Sequence, residues 1–573
     1  MKIVTRPPPR NLFNGDCNFF FYNPELWQPE GGPYSAKAID RCVAQLATCG
    51  VDTLLINPNT QVAWYPSARL EHVFQGYRRG DRRFISRIAA ANAALTRPQV
   101  KRYIEVMTEL FDRYLDLQEA GTDWLAEAAH ACRRHGITPW LSYRMNATHF
   151  SGAPDSPVNC RLFREARYRL SGRVPGARGR KDHAWLGLNY ACAPVRAHMF
   201  ALIREGVEGY DYDGVELDWL RHPLCVEAPA SQRDTDAITD WIADLRALTR
   251  RRGRTLPLGL RVPGNLDYLR RIGIDLRAIV RRRLIDFVSF SNYWQTSWTM
   301  PLDDLRRELG PEIRIYAGME GAPNWLKATA PALVEQPAYQ ELQLAGDSAA
   351  TTARRRPKQV VVEGTRYLPA SPPLLRGNAA GKLVLPVDGL EQFNFFVADQ
   401  VRVPGQRGAY EILRELADLS TLRGKEKHYA FNTASGNHHE KWDAPMSFPA
   451  EIPAGESRKF RLPMCAEPPR ARLELVVQVI GRGPTLSRRL TTSFNGHAQV
   501  TAGTPTRDLL FPCGPYRRHT RENAAGNFCY PTHLIHDGWN EITVHNHGPR
   551  PLTLVCVELA VRKSSRSRTG RKS

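Results

Sequence analysis

The sequence has no apolar run that approaches the roughly 18 residues a membrane-spanning helix needs. Residues 1–10 are basic and proline-rich. The apolar run that follows them is interrupted by Asn14, Asp16 and Asn18, which makes it a poor signal-peptide core. We therefore expect no membrane partner. The sequence predicts a cytoplasmic protein, or a periplasmic or secreted one if an export signal has been removed.

Paired cysteines and cofactor motifs are also lacking. Eleven cysteines are scattered along the chain without a CxxC pair, which argues against a disulfide framework and a zinc knuckle. His72, His149 and His222 do not share the spacing of metal ligands. No GxGxxG or GxxxxGK(S/T) segment is present. The sequence therefore predicts no metal and no cofactor, and it predicts reduced, mostly buried thiols.

Acidic residues are too few to balance the basic ones. The chain has 79 lysines and arginines against 58 aspartates and glutamates, a formal net charge of +21. No RNA-binding signature or zinc-finger spacing accompanies this charge, so nucleic acid is not a predicted partner. An arginine-rich surface and an anionic carbohydrate substrate both stay open as explanations. We expect the basic tail at 563–573 to be disordered, and the sequence does not indicate the oligomeric state.

The chain, at 573 residues, is too long for one core, since single cores stop growing at roughly 250–300 residues. Through the first two thirds, short apolar segments alternate with amphipathic helical stretches, which is typical of a parallel α/β domain. Eight strand segments can be counted, at 17–23, 52–59, 138–146, 213–219, 256–264, 286–294, 313–320 and 389–396. Eight units fit a closed barrel better than an open sheet, so the sequence predicts a (β/α)8 TIM barrel over residues 11–430.

Two further regions differ in texture from the barrel repeats. A proline-rich stretch at about 322–385 interrupts the last repeat, and we expect an extended loop with a short helix at the active face. After the barrel, short alternating runs separated by Gly, Pro and Asn replace the helical periodicity. Residues 431–562 are therefore predicted to form an antiparallel, jelly-roll-like β-sandwich.

Strand periodicity predicts which side chains point into the barrel, because side chains alternate between the two faces of a strand. In the fourth strand this leaves Glu216 and Asp218 inside. In the eighth strand it leaves Gln392 and Asn394 inside and Phe393 outside. Active sites of this fold lie at the carboxyl ends of the strands, so polar inward residues there are the strongest functional signal. The inward set near this end is Asn57, Asn59, Arg144, Asn146, Glu216, Asp218, Arg261, Glu320 and Asn394.

Glycoside hydrolysis needs two carboxyl groups that flank the scissile bond, one of which donates a proton to the leaving oxygen. Glu320 and one of Glu216 or Asp218 are the predicted catalytic residues. Packing carboxylates together raises the pKa of at least one of them, which suits a general acid. Structural roles stay open as well. Glu216 could be the ion-pair partner of Arg144 or Arg261, and Glu320 could cap a turn.

Other polar and aromatic residues near the rim are candidates for substrate binding. Arginines there could keep a carboxylate ionised or bind an acidic sugar. Flat aromatic faces stack on sugar rings, although each tryptophan could instead serve packing. The predicted substrate-binding residues are Asn57, Asn59, Arg144, Asn146, Arg221, Arg261, Asn292, Trp294 and Asn394, with Trp27, Trp64, Trp298 and Trp325 as further sugar platforms.

The segment YDGVELDWLRHP at 212–223 resembles the fourth-strand motif of glycosyl-hydrolase-like barrels of bacteria, roughly FDGI-x-LD-(W/Y)-x-R-(Y/H)-P. NGDCN at 14–18 and LRGKEKHY at 422–429 also resemble such proteins, and the resemblance covers most of residues 11–430. It implies a carbohydrate-active enzyme in which Asp218 is the catalytic candidate and Arg221 orients it. A parallel with retaining glycosidases, which carry their nucleophile on strand seven, implies that role for Glu320. The segment 534–544 resembles the late strands of a galactose-binding-like jelly roll.

The predicted function is therefore a glycoside hydrolase that cleaves a poly- or oligosaccharide at the carboxyl-terminal rim of the barrel. A polysaccharide lyase or a transglycosylase on the same fold is one alternative. A non-catalytic glycan-binding protein is another. The fold alone does not separate these functions.

Overall fold

Eight parallel strands form a closed barrel in sequence order, and the first strand pairs with the eighth. The computed structural model describes residues 8–91, 97–148, 150–173, 186–220, 223–250, 255–292, 296–320, 371–393, 395, 409–431, 447–482, 486–500, 503–506 and 523–564. The barrel strands are β1 Asn11–Gly15, β2 Thr53–Ile56, β3 Thr138–Arg144, β4 Val215–Asp218, β5 Leu258–Val262, β6 Phe287–Phe290, β7 Arg314–Glu320 and β8 Gly389–Phe393. The predicted (β/α)8 barrel is confirmed.

Amphipathic helices surround the barrel because their apolar residues recur on one face. In the helix Ala36–Thr48, for example, Ile39, Val43 and Leu46 are all buried. The described helices are Pro24–Trp27, Ala36–Thr48, Arg82–Ala91, Arg97–Glu119, Trp124–Arg134, Arg161–Arg164, Ala193–Gly209, Gln232–Thr249, Leu266–Arg271, Leu276–Arg281, Leu302–Leu309, Pro372–Leu383, Leu413–Leu416, Leu419–Leu422 and Leu486–Arg489. None of these helices combines the length and apolar content that crossing a bilayer requires.

The amino-terminal end of the barrel interior is filled by apolar and aromatic side chains, which we call the apolar floor. Its members are buried and come from five strands: Leu12, Leu55, Trp140, Phe287 and Tyr316. The rings of Trp140 and Phe287 stack with their centroids 4.9 Å apart. A glycine on β5 makes room for them, since a Cβ at Gly259 would lie 2.3 Å from the Phe287 ring.

Two antiparallel sheets follow the barrel. Their strands are β9 Lys427–Tyr429, β10 Ala450–Ile452, β11 Ser457–Met464, β12 Leu473–Arg482, β13 Leu490–Phe494, β14 His497–Ala498, β15 Thr504–Thr506, β16 Asn523–Pro531, β17 Gly538–Asn546 and β18 Leu552–Lys563. The sheets face each other, because the ring centroids of Phe494 and Tyr530, one from each sheet, are 5.8 Å apart. The antiparallel region is confirmed, while its jelly-roll and galactose-binding-like character stays a prediction. The tail residues 565–573 lie outside the described residues.

The helix Pro372–Leu383 packs between the barrel and the antiparallel sheets. A Cβ at Gly377 would lie 1.9 Å from the carbonyl oxygen of His428, so glycine permits this close approach. The segment expected as a loop at about 322–385 therefore ends in a packed helix, and its residues 322–370 lie outside the described part of the chain. Lys427–Tyr429, which lies just before the domain boundary predicted after residue 430, pairs with β18 of the antiparallel sheets.

The first barrel strand was also predicted at the wrong place. Asn11–Gly15 forms β1, whereas Phe19–Phe21, within the predicted strand 17–23, is a short 3-10 helix. Aromatic residues have high strand propensity, which favoured the wrong segment. These aromatic side chains are buried outside the strands instead. Phe20 and Phe21 pack against Trp124, which belongs to a helix around the barrel.

Candidate active site

Arg261 occupies the centre of the barrel interior near the carboxyl ends of the strands. Its Nη1 donates to both carboxylate oxygens of Asp218 at 3.2 Å, and its Nη2 donates to Glu320 Oε1 at 2.9 Å. Asp218 ends β4 and Glu320 ends β7. The structure therefore brings two predicted catalytic carboxyl groups, from strands that are not neighbours, to one guanidinium.

This ion cluster is almost completely removed from solvent. The exposed fractions of Arg261, Asp218 and Glu320 are 1%, 4% and 2%. Burial lowers the pKa of Arg261, but the nearby carboxylates outweigh burial and raise the pKa above its ordinary value. Arg261 is therefore a permanent cation, and electrostatic interactions with it are strong because little water screens them.

Glu391 on β8 is a site residue that the sequence analysis missed. Its Oε1 lies 3.4 Å from Arg261 Nε and accepts a hydrogen bond from Asn14 Nδ2 at 2.8 Å. Two residues further on, the Phe393 ring centroid is 3.8 Å from the Arg261 guanidinium carbon. The inward residues of β8 are thus Glu391 and Phe393, and the prediction that Gln392 points inward was wrong. The Arg261 cation stabilises the inward-pointing Phe393 ring. An apolar residue therefore did not identify the outer face of β8.

Glu216 lies one layer below Asp218 and is fully buried. Its Oε1 accepts hydrogen bonds from Ser142 Oγ at 2.7 Å and from Asn14 Nδ2 at 2.9 Å. Asn14 therefore donates to Glu216 and Glu391 together and holds the two carboxyl groups side by side. Burial raises the pKa of Glu216 well above its usual range, and the charges of Glu391 and Asp218 raise it further. Glu216 therefore holds its proton more strongly than an ordinary glutamic acid does.

The structural role considered for Glu216, an ion pair with Arg144 or Arg261, is not what the structure shows. Among the described residues, no arginine lies within ion-pair distance of its carboxyl group. Its Oε2 and Oε2 of Glu391 are buried without a hydrogen-bond partner in the described ranges. Two adjacent buried carboxyl groups avoid mutual repulsion when one is protonated, which agrees with the raised pKa of Glu216.

Arg144 and Asp16 form a second ion pair in the same region. Arg144 Nη2 donates to Asp16 Oδ1 at 3.0 Å, and the Asp16 side chain is 12% exposed. Burial lowers the pKa of Arg144, but the nearby acidic groups, Asp16 first among them, together outweigh burial and raise that pKa. Asp16 was not predicted as a site residue because the first strand was misplaced. Its NGDCN segment was the signal that could have identified it.

Two of the predicted substrate-binding asparagines hold the backbone instead. Asn59 accepts a hydrogen bond from the Arg144 N–H and donates one to the Arg144 carbonyl, both at 3.0 Å. Asn146 binds the backbone of two neighbouring loops with both ends of its amide. Asn59 and Asn146 are at most 1% exposed, so we reassign both as positioning residues. Asn57 donates to a β3 carbonyl at 2.8 Å, and its Oδ1 accepts no hydrogen bond from the described residues.

The three predicted sugar-platform tryptophans that the structure describes have buried side chains. Trp64 is 2% exposed and donates its Nε1 to the Tyr114 hydroxyl at 2.9 Å. Trp27 and Trp298 are 3% and 5% exposed. Asn292, directly after β6, is 6% exposed. The remaining predicted residues lie outside the described residues: Arg221, Trp294, Trp325 and Asn394.

The described interior holds more acid than base. The guanidinium groups of Arg144 and Arg261 both have carboxylate partners. Together they face five carboxyl groups, those of Asp16, Glu216, Asp218, Glu320 and Glu391. The described residues contain no group of three or more His, Cys, Asp or Glu side chains placed to hold a metal ion, and Arg261 is the cation that pairs with Asp218 and Glu320.

No protein-family model matches the sequence, and no curated protein is similar to it. The chain is similar to the PgaB (BpsB) glycoside hydrolase domain from Bordetella bronchiseptica, with 11% identity over 72% of this chain and 99% of that one, and a TM-score of 0.37. It is similar to an alpha-amylase from Geobacillus thermoleovorans complexed with acarbose, with 10% identity over 94% and 99% of the two chains and a TM-score of 0.35. A noncanonic maltogenic alpha-amylase, AmyB from Thermotoga neapolitana, gives 10% identity over 95% and 98% and a TM-score of 0.34. These values are low, so function has to be inferred from the chain's own side chains.

Proposed function

We propose that this chain is a glycoside hydrolase in which Asp218 and Glu320 flank the scissile glycosidic bond. The observation that carries the proposal is that both carboxyl groups end barrel strands and bind one buried guanidinium, that of Arg261. Buried charges cost free energy unless they are paired or used, so a barrel that only needed to pack would have apolar side chains here. The carboxyl ends of the strands are also where enzymes of this fold carry out their chemistry.

We further propose different roles for the two carboxyl groups. Arg261 binds both, Glu320 at 2.9 Å and Asp218 at 3.2 Å, and Asp218 also accepts a hydrogen bond from the Leu220 N–H at 3.0 Å. By the parallel with retaining glycosidases, which carry their nucleophile on strand seven, we assign Glu320 as the carboxylate that attacks or stabilises the anomeric carbon, and Asp218 as the acid that protonates the leaving oxygen.

Glu216 supports this pair from the layer below. Its exposed fraction is 0%, so a substrate at the mouth of the barrel contacts Asp218 before it contacts Glu216. Because burial raises the pKa of Glu216, the neutral form of this carboxyl is favoured beneath Asp218. We assign it a positioning role in place of the catalytic role that the sequence suggested.

The charge balance favours an uncharged sugar over an anionic one. The positive charges of Arg144 and Arg261 are already compensated by their carboxylate partners, Asp16 and Asp218. An acidic sugar would add a further negative charge to a buried site that already holds more carboxyl groups than guanidinium groups, and an uncompensated buried charge is costly. We therefore propose a neutral poly- or oligosaccharide as the substrate.

The direct test is a glycan panel on which wild-type protein is compared with Asp218→Asn and Glu320→Gln. Loss of a positioned general acid lowers kcat by about a hundredfold to ten-thousandfold. Asp213→Asn is the matched control, since Asp213 precedes the same strand but pairs with Arg133 at 2.9 Å. We expect the control to keep wild-type activity. Wild-type activity in both Asp218→Asn and Glu320→Gln would contradict the proposal.

The products of the same panel separate the alternative functions. A hydrolase releases a reducing sugar, a lyase leaves an unsaturated sugar, and a transglycosylase forms longer chains. A glycan-binding protein binds members of the panel without turnover, and its Asp218→Asn variant yields the same absence of product as wild type.

A further inference from the structure

A pocket lies at the amino-terminal end of the barrel, below β5, β6 and β7 and opposite the candidate active site. Its volume is about 520 Å³, within the range of about 300–1,000 Å³ that small-molecule sites occupy. Four arginines and two acidic residues are among the lining residues: Arg246, Arg250, Arg283, Arg314, Asp286 and Glu312. The charged side chains of the pocket therefore carry a net charge of +2.

One of these arginines is already paired with a carboxylate of the pocket wall. Arg246 is 6% exposed, and its Nη1 and Nη2 donate to the two carboxylate oxygens of Asp286 at 2.6 and 2.7 Å. Asp286 also accepts a hydrogen bond from the backbone N–H of Leu258. The charge of Asp286 is thus neutralised within the pocket wall, and Arg246 Nε is buried without an acceptor among the described residues.

The other three arginines provide the excess positive charge. Within the described part of the chain, Arg250, Arg283 and Arg314 have no carboxylate within ion-pair distance, and Glu312 pairs with none of them. The neighbouring surface arginine, Arg282, instead bonds to Asp240 at 2.9 Å. Three arginines without a carboxylate partner among the described residues therefore line one pocket.

Arg283 has a backbone conformation that is unusual for its residue type. It follows the helix Leu276–Arg281 with φ = 54°, and its N–H bonds to the Val280 carbonyl while the next N–H bonds to the Ile279 carbonyl. This is the Schellman ending of a helix, whose left-handed residue is usually glycine because a side chain is disfavoured there. The same ending elsewhere in this chain has glycine at that position: Gly50, Gly121, Gly136 and Gly273. A side chain is kept at position 283 against this local preference.

Helix termini give a structural explanation that has to be weighed. Arg250 follows the helix Gln232–Thr249, and Arg283 follows Leu276–Arg281. Each helix carboxyl terminus carries about half a negative charge, which a nearby arginine stabilises. Two termini offset about one of the two excess positive charges, so the pocket stays positive. Arg314 begins a strand, and a helix terminus does not explain it.

We propose that this pocket binds a small multivalent oxyanion, held by Arg250, Arg283 and Arg314. Guanidinium groups bind phosphate and carboxylate oxygens through paired N–H donors, and three of them around one pocket favour a ligand with several charged oxygens. The site lies at the end of the barrel away from Asp218 and Glu320, so it is separate from the proposed glycosidase chemistry and does not depend on it.

The test is calorimetric titration of the full chain with pyrophosphate, and with citrate as the carboxylate arm. Two variants remove charges at the pocket, Arg283→Gly and Arg314→Gln. Arg283→Gly places the preferred residue at the helix end, so its fold is expected to be at least as stable as wild type. The matched control is Arg281→Gln, which removes one exposed charge from the same helix end and does not line the pocket.

We expect wild type to bind pyrophosphate, and each pocket variant to bind it about tenfold more weakly. Arg281→Gln should bind as wild type does. Tighter binding of pyrophosphate than of citrate would assign the site to phosphate-bearing ligands, and the reverse would assign it to carboxylates. Undetectable binding by wild type would overturn the proposal. So would an equal loss in Arg281→Gln, which would mean that the anion responds only to the overall charge.

Discussion

The two ends of the barrel interior are built on the same strands and have opposite chemistry. At the amino-terminal end, Trp140 and Phe287 stack with their ring centroids 4.9 Å apart in the apolar floor. At the carboxyl-terminal end, Arg261 binds Asp218 and Glu320 through charge-assisted hydrogen bonds. On β7 the inward side chains change from the apolar floor to the ion cluster within four residues, from Tyr316 to Glu320 at the end of the strand.

Under the proposed function, this difference separates stability from activity along the barrel axis. Burial of apolar rings stabilises the folded protein and does not require a hydrogen-bond or ion-pair partner. Burial of an ion cluster contributes little net stability, and removing one member leaves the others without compensation. The floor can therefore hold the barrel closed while the carboxyl-terminal end keeps groups that packing alone would not select.

The largest effect is expected for Arg261→Met, which keeps the approximate size and removes the charge that Asp218, Glu320 and Glu391 share. Losing one partner of a buried pair costs about 3–5 kcal/mol. We expect a lower urea midpoint of unfolding and no detectable glycosidase activity. Arg307→Met, which breaks an exposed ion pair with Asp304, is the control and should shift the midpoint little. An Arg261→Met protein as stable as wild type would show that the cluster is not electrostatically coupled.

Truncation in the floor should affect stability alone. Phe287→Ala removes a ring that contacts Trp140 and Tyr316, and such core truncations cost about 3–5 kcal/mol. Urea unfolding measures the loss, and the exposed Leu26→Ala is the control. The kcat of the protein that remains folded should be unchanged. A large fall in kcat of the fully folded Phe287→Ala protein would contradict the assignment of stability to one end of the barrel and activity to the other.

A smaller, pH-dependent effect is expected at Glu216. Burial raises its pKa in the folded protein above the ordinary value of 4.5, so the folded state holds this proton more tightly than the unfolded state. As pH rises through about 4.5, the unfolded chain ionises first and is stabilised relative to the folded protein. Wild type therefore loses stability with rising pH until the folded group also ionises.

The variant Glu216→Gln is neutral at every pH and removes this loss. Its Tm relative to wild type should rise as the pH increases above about 5, because its free energy of unfolding relative to wild type increases by about 1.4 kcal/mol for each pKa unit of difference between the two states. Thermal unfolding across this range measures it. A Tm difference that does not change with pH would mean that Glu216 is ionised in the folded protein.

Strand periodicity identified the inward site residues correctly on strands whose outward face is entirely apolar. On β4, β5 and β7 the alternation placed Asp218, Arg261 and Glu320 correctly inside the barrel. On β8 it failed, because Phe393 is an inward residue stabilised by a cation from another strand. Local patterns also do not reveal contacts such as that between Asn14 and Glu391, which are 377 residues apart in the chain.

The most direct test of the account uses two variants on the same face of β7. Glu320→Gln changes the carboxyl-terminal end, and Tyr316→Phe removes one hydroxyl from the floor. The measurement is kcat/KM on the glycan that wild type hydrolyses, with Tm recorded for each protein. We predict that Glu320→Gln loses about a hundredfold or more in kcat/KM while Tyr316→Phe keeps wild-type activity. Full activity in Glu320→Gln, or an equal loss in both variants, would contradict the account.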